Sequence, residues 1–320
     1  AYHAQCAVGT RYRRCRASQY GSGMTFTDDS NISNPRVRRR GRTVGVAAGG
    51  GGLLVLVLAI AGPLLGVDLG PLAGLLGGGG TDGSSSDSGT VLDECKTGQD
   101  ANRLDECRVQ GAVSSLEVYW AAEAAGIGIQ FRPANAALFT DSVGTGCGSA
   151  TSATGPFYCP PDETLYIDTT FFDELSSRFG ASDQPLAQMY VVAHEYGHHM
   201  QQIGGIFDGT DRSDTGPGSD TIRLEVQADC FAGAWVAEAS TTADASGTTF
   251  LEPVTQQQVT DALSAAAAVG DDRIQQSAGG GVNPETWTHG SAEQRQKWFT
   301  AGFEGGPGAC DTFAVSADEL

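Results

Sequence analysis

Two histidines four residues apart, His194 and His198, with Glu195 between them, constrain this chain more than any other stretch of its sequence. The run from Val191 to Met200 reads VVAHEYGHHM. Positions i and i+4 share one face of a helix, so a helix here aims both imidazoles at a single point, where they can grip one Zn²⁺. Glu195 lies about a third of a turn away, placed to take a proton from a metal-bound water whose pKa zinc lowers towards ~7, and to pass it to a leaving amine. Chance and core packing are poor accounts, because three of the chain's five His fall within six positions. His199 points ~100° from His198 around the helix and is expected to be a structural or rim residue.

A second run, Leu224 to Phe231 (LEVQADCF), follows on a predicted helix. Glu225 there offers a third ligand, which leaves one position for water, as a catalytic zinc site requires. Asp229 comes one turn later on the same face and is placed to accept a hydrogen bond from a ligand imidazole. A Glu and an Asp at this spacing usually mark a solvated face, but Leu224, Val226, Ala228 and Phe231 surround these two. His289 is the only histidine outside the zinc helix in the segment beyond residue 90. It precedes a helix start at Ser291, where it could stabilise an oxyanion; the competing expectation is that it caps or packs the last helix.

Helical periodicity covers Asn102–Ala125, and Asp183–Ile203 reads as a helix with Asp183 as N-cap and Pro185 in its first turn. Further helices are expected over Ser219–Ala239, over Thr255–Ala268, and from a Ser291/Gln294 capping box to Thr300. Leu165–Asp168 is a strand candidate, and Phe157–Pro161 with it would make an edge beside the cleft that binds substrate backbone, or else an ordinary core strand. The Asp208–Asp220 loop resembles a calcium loop in composition but lacks its closing Glu and spacing, and reads as solvated.

Charge divides the 320-residue chain. Residues 1–42 hold nine Arg against Asp28 and Asp29, a balance of +7 within a total of −19, and the remainder is left with −26. Such an acidic body repels polyanions, which argues against a nucleic-acid partner. Thr43–Val67 carries no charge, and Leu53–Ile60 is wholly apolar. A helix needs ~20 largely apolar residues to cross a bilayer, so 43–67 is expected to be a transmembrane helix. Arg36–Arg42 before it would hold a basic segment, 1–42, in the cytoplasm. A secretory signal peptide is the alternative, and either way the acidic bulk is exported. Residues 1–23 contain no Met and Met24 offers a start, so they are read as an upstream extension that is not native. Residues 68–90 form a Gly/Ser-rich linker, and 91–320 a single domain. Six cysteines, at 95, 107, 147, 159, 230 and 310, lie in that domain with no C-x-x-C pair, which points to disulfides rather than a zinc knuckle. The sequence does not fix their connectivity. Cys147 with Cys159, around a Gly- and Ser-rich loop, is the favoured pair, with Cys230–Cys310 and Cys95–Cys107 beside it.

The pair HEYGHH and EVQADCFAG resembles the bacterial family called putative neutral zinc metallopeptidases. Gly146–Pro156 running into FYCPPDETLYID, and THGSAEQRQKWFTAGF at 288–303, are similar too. The likeness covers about 91–320 together with the basic head and the apolar stretch. It implies a gluzincin-like arrangement with His194, His198 and Glu225 as zinc ligands and Glu195 as base. The E-x-x-A-D element also resembles membrane-bound CAAX-type proteases, in which the Asp supports a ligand histidine and a comparable histidine stands where THG does here. The expected fold class is α+β, a mainly helical zincin-like domain with a small sheet, preceded by one transmembrane helix. The expected activity is hydrolysis of peptide bonds in extracytoplasmic proteins or peptides by a cell-membrane enzyme. A zinc-dependent amidase of cell-wall peptides fits the sequence equally. A catalytically inactive, zinc-stabilised scaffold is the rival of another class, and the intact Glu195 speaks against it.

Overall fold

A computed structural model of the chain describes residues 25–41, 89–279 and 281–320. Its architecture is mixed α and β, mainly helical, around a five-stranded sheet of order β2-β1-β3-β7-β6. The strands are β1 (Val37–Arg39), β2 (Thr90–Val91), β3 (Asn135–Phe139), β6 (Phe157–Cys159) and β7 (Thr164–Asp168). The central three run parallel, while β2 and β6 close the two edges antiparallel. A separate hairpin joins β4 (Ser142–Thr145) to β5 (Gly148–Thr151).

The helices are α1 (Gly98–Ala101), α2 (Asp105–Glu123), α3 (Thr170–Ser177), α4 (Pro185–Ile203), α5 (Asp220–Glu238), α6 (Gln256–Ala268), α7 (Asp271–Ser277) and α8 (Ala292–Gly305). The central helix α4 packs on α2, α5 and α6 and touches β6 and β7, so the sheet edge and the helical layer meet along it. Helices α5 and α8 cross very closely. A Cβ on Gly233 would fall 2.0 Å from the Phe299 carbonyl oxygen, and one on Gly302 would fall 1.9 Å from that of Cys230. Only glycine at both crossing points permits this approach. Trp120, Trp235, Tyr190, Tyr196 and Phe299 fill the core between the layers.

The helix ends follow capping chemistry. Ser219 accepts from the Ile222 amide at the start of α5, and Ser291 and Gln294 form the expected reciprocal pair at the start of α8. Helix α4 departs from expectation. Its N-cap is Gln184 in extended conformation, with Pro185 the first helical residue; Asp183 stands one position too early and instead accepts from the Gln184 amide group. Three disulfides form, Cys95–Cys107, Cys147–Cys159 and Cys230–Cys310, which is the favoured pairing.

The main correction concerns residues 25–41. The sequence sets them apart with a cytoplasmic head, but in the structure they belong to the domain. Strand β1 lies between β2 and β3, and Phe26, Ile32 and Val37 are fully buried. Asn102 accepts from the amides of Thr25 (3.1 Å) and Phe26 (2.9 Å) and donates to the Phe26 carbonyl (2.8 Å). The apolar spacing of so short a segment is too brief to betray its burial; its partners lie more than 50 residues away. No helix among the described residues is long and apolar enough to cross a membrane. The expected span at 43–67 lies outside the described residues, as do the extension 1–23 and most of the linker.

Candidate metal centre

Helix α4 carries His194, Glu195 and His198 into the interior because it is walled on every side but one. Gly197, on the face towards α5, lets the two helices touch; a Cβ there would sit 2.9 Å from the Ala228 Cα. That closeness brings Glu225 across from the histidines. Its carboxylate lies 3.2 Å from His194 Nε2 and 3.5 Å from His198 Nε2, and the donor atoms of all three residues fall within 4.8 Å of one another. Four-coordinate zinc with ligand bonds of ~2.0–2.2 Å sets its donors roughly 3.3 Å apart, so two imidazole nitrogens and a carboxylate here have the spacing and chemistry the ion requires.

The far side of each imidazole is held as well. His194 Nδ1 lies 2.8 Å from Asp229 Oδ1, and His198 Nδ1 lies 2.8 Å from Gln201 Oε1. A carboxylate and an amide oxygen can only accept, so both Nδ1 atoms donate, and each Nε2 faces Glu225 as the nitrogen that can ligate a cation once its proton is displaced. Gln201 is fixed in turn, since its amide donates to the Leu224 carbonyl at 2.7 Å. Burial opposes charge on His194, but Asp229 and Glu225 outweigh it and push the imidazole up to about 10. Burial likewise resists ionisation of Glu225, yet the His198 and His194 imidazoles hold its carboxyl far below the usual range. Three bases crowded on one point and balanced only by protons are suited to a cation.

Asp229 is the hub behind the ligands. It is fully buried and accepts from Arg295 through two bonds, Nε to Oδ2 at 2.7 Å and a terminal nitrogen to Oδ1 at 2.9 Å, and also from the Tyr190 hydroxyl. Burial works against its ionisation, and Arg295 with His194 overcomes this, bringing the carboxyl down to about 2. The sequence reading finds Asp229 but misses Arg295, Tyr190 and Gln201. Arg295 had a legible signal: it shares the 295, 298, 299, 302 face of α8 with Trp298, Phe299 and Gly302, and a lone guanidinium on a buried face needs a buried partner.

The open side of the centre is a cleft of about 630 Å³, lined by Glu195 and His289 as well as the three ligand candidates. Phe171, Phe179, Val269 and Ile274 make its apolar wall, and residues 151–158, which lead into edge strand β6, make its rim. His289 is half-exposed there. Asp271, at the start of α7, accepts from the backbone amides of Thr288, His289 and Gly290 and lies 3.3 Å from His289 Nδ1, fixing the loop and leaving Nε2 available to the cleft. Partial enclosure by the cleft walls opposes charge on His289, while Asp271 and Glu225 raise its pKa. His199 is no ligand. It is buried, its Nε2 donates to the Arg132 carbonyl at 2.7 Å, and its Nδ1 accepts from the Tyr158 hydroxyl at 3.0 Å, so a neutral imidazole fastens α4 to β6.

The family model described as "Putative neutral zinc metallopeptidase" matches residues 22–313. Uncharacterised proteins of Mycobacterium tuberculosis and Mycobacterium bovis are 50% identical over 230 residues, covering 71% of this chain and 77% of theirs. The uncharacterised protein YpfJ of Escherichia coli is 32% identical over 308 residues, 90% of this chain and 97% of its own. No solved structure matches.

Proposed function

Because the chain belongs to this neutral zinc metallopeptidase family, we propose that it hydrolyses peptide bonds, with Zn²⁺ held by His194, His198 and Glu225. The observation that carries the reading is the convergence of those three donors on the floor of one cleft with Glu195 beside them. Zinc bound there would polarise both a water and the scissile carbonyl. Glu195 accepts the proton of the attacking water at its carboxylate and delivers it to the departing amine nitrogen. His289, oriented by Asp271, donates from Nε2 to the oxyanion as the carbonyl carbon becomes tetrahedral. A peptide laid along β6 presents its backbone to an edge strand, and an apolar side chain would meet the Phe171, Phe179 and Val269 wall. The three disulfides favour an oxidising compartment, so the substrates are proteins or peptides outside the cytoplasm.

The test is a zinc-loaded full chain incubated with a peptide library, with and without chelator. Glu195→Gln should keep its zinc and lose turnover, whereas His194→Ala, His198→Ala and Glu225→Ala should each lose the metal. His289→Ala should lower turnover by ~10²–10³-fold with zinc content and melting temperature nearly unchanged. A zinc-replete Glu195→Gln protein with wild-type turnover would overturn the mechanism, and zinc binding without any chelator-sensitive cleavage would favour the scaffold reading.

A further inference from the structure

We infer that residues 25–41 and residues 89–320 lie in the same compartment, which rules out the single crossing between them that the sequence alone suggests. The inference concerns topology and stands apart from the proposed chemistry.

Strands β1 and β2 are antiparallel neighbours, with Arg38 opposite Val91 and Arg39 opposite Thr90. Neighbouring strands lie about 4.8 Å apart, while the hydrocarbon core of a bilayer is about 30 Å thick. Residues 41 and 89 therefore emerge side by side at one end of the sheet. A single crossing by 43–67 would place them on opposite faces.

Nor can β1 be spared from the domain. It is an interior strand, paired in parallel with β3 from Val37↔Ala136 to Arg39↔Leu138 as well as with β2. Upstream of it, Phe26 bridges to Leu251, Asn31 bridges to Thr97, and the Asn31 amide donates to Asp244 at 2.7 Å. Withdrawing residues 25–41 would strip one side of β3 and open the core at Phe26, Ile32 and Val37.

The arginines also change their meaning. As a cluster before an apolar stretch they read as a cytoplasmic anchor. In the structure Arg39 pairs with Glu94 and Glu106, Arg36 with Glu117 at 3.4 Å, and Arg40 donates to the Tyr166 hydroxyl at 2.8 Å. They hold β1 to α2 and β7, and so belong to the compartment of the metal centre. The three disulfides put that compartment on the oxidising side.

The experiment uses the full chain expressed in a bacterial envelope, with Cys6 and Cys15 changed to Ser. Ser33→Cys reports on the N-terminal segment and Ser213→Cys on the loop before α5, both exposed. Spheroplasts are treated with a membrane-impermeant maleimide before and after lysis. The expected result is that both positions label to the same extent before lysis. A second variant carries Arg38→Cys with Val91→Cys, and should cross-link on mild oxidation in intact spheroplasts. Ser33→Cys protected while Ser213→Cys labels would overturn the inference and restore a single crossing.

Discussion

At the scale of single residues, the candidate metal centre depends on groups that are not themselves ligands. Asp229 can orient His194 only as an ionised carboxylate, and it stays ionised in the core because Arg295 grips it in two bonds. Removing one member of a buried pair leaves the other charged and unpartnered, at a cost of ~3–5 kcal/mol. Arg295→Ala and Asp229→Ala should therefore each be less stable to denaturant than the parent, and zinc affinity should fall in both. Asp229→Ala should weaken zinc binding by ~10–100-fold while the domain stays folded. Chelator competition and urea titration of the two variants and their combination measure both effects. A double variant showing the sum of the single losses would mean that the two side chains act independently.

Among elements, what the sequence disclosed follows from range. The zinc helix and α5 announce themselves because each motif lies within one helix, where spacing fixes direction. His194, His198, Glu225 and Asp229 could thus be picked out as candidates before their contacts were known. Strand β1 could not, since three residues reading VRR acquire their meaning from β2 and β3, which lie far along the chain. Arg295 and Asp271 are intermediate cases: each lies beside a recognised motif, but its partner comes from another element. The α5–α8 crossing shows the same dependence and can be tested directly. Gly302→Ala adds one methyl group against the Cys230 carbonyl, where no neighbour can yield without moving a helix. A loss of roughly 1–3 kcal/mol, with the Asp229–Arg295 contact disturbed, is expected from thermal unfolding and zinc affinity measured together.

For the whole molecule, closure of the N-terminal segment onto the domain has a pH signature. Asp244 accepts from the amides of Asn31, Ser246 and Thr248, and although burial opposes its ionisation these bonds bring its pKa down to about 2. The folded carboxyl titrates below its unfolded value near ~3.9, so its stabilisation is complete above about pH 4 and disappears as the pH falls towards 2. Asp244→Asn should remove that part of the acid dependence. It should also speed hydrogen exchange at residues 25–33 at neutral pH, while exchange in α4 and α5 changes little. Equal acid sensitivity in variant and parent would assign the effect to other carboxylates.

The bond from Tyr158 to His199 has a consequence for what the cleft can count. It joins the rim strand to the turn of α4 that carries His198, so a peptide aligned on β6, as proposed, is indexed to the same helix that holds Glu195. Advancing such a peptide by one residue turns each side chain to the opposite face, and only two-residue steps return an apolar side chain to the same wall. Under the proposed function the cleft would thus read a peptide in units of two, and an apolar residue shifted by one position would move the cut or prevent it.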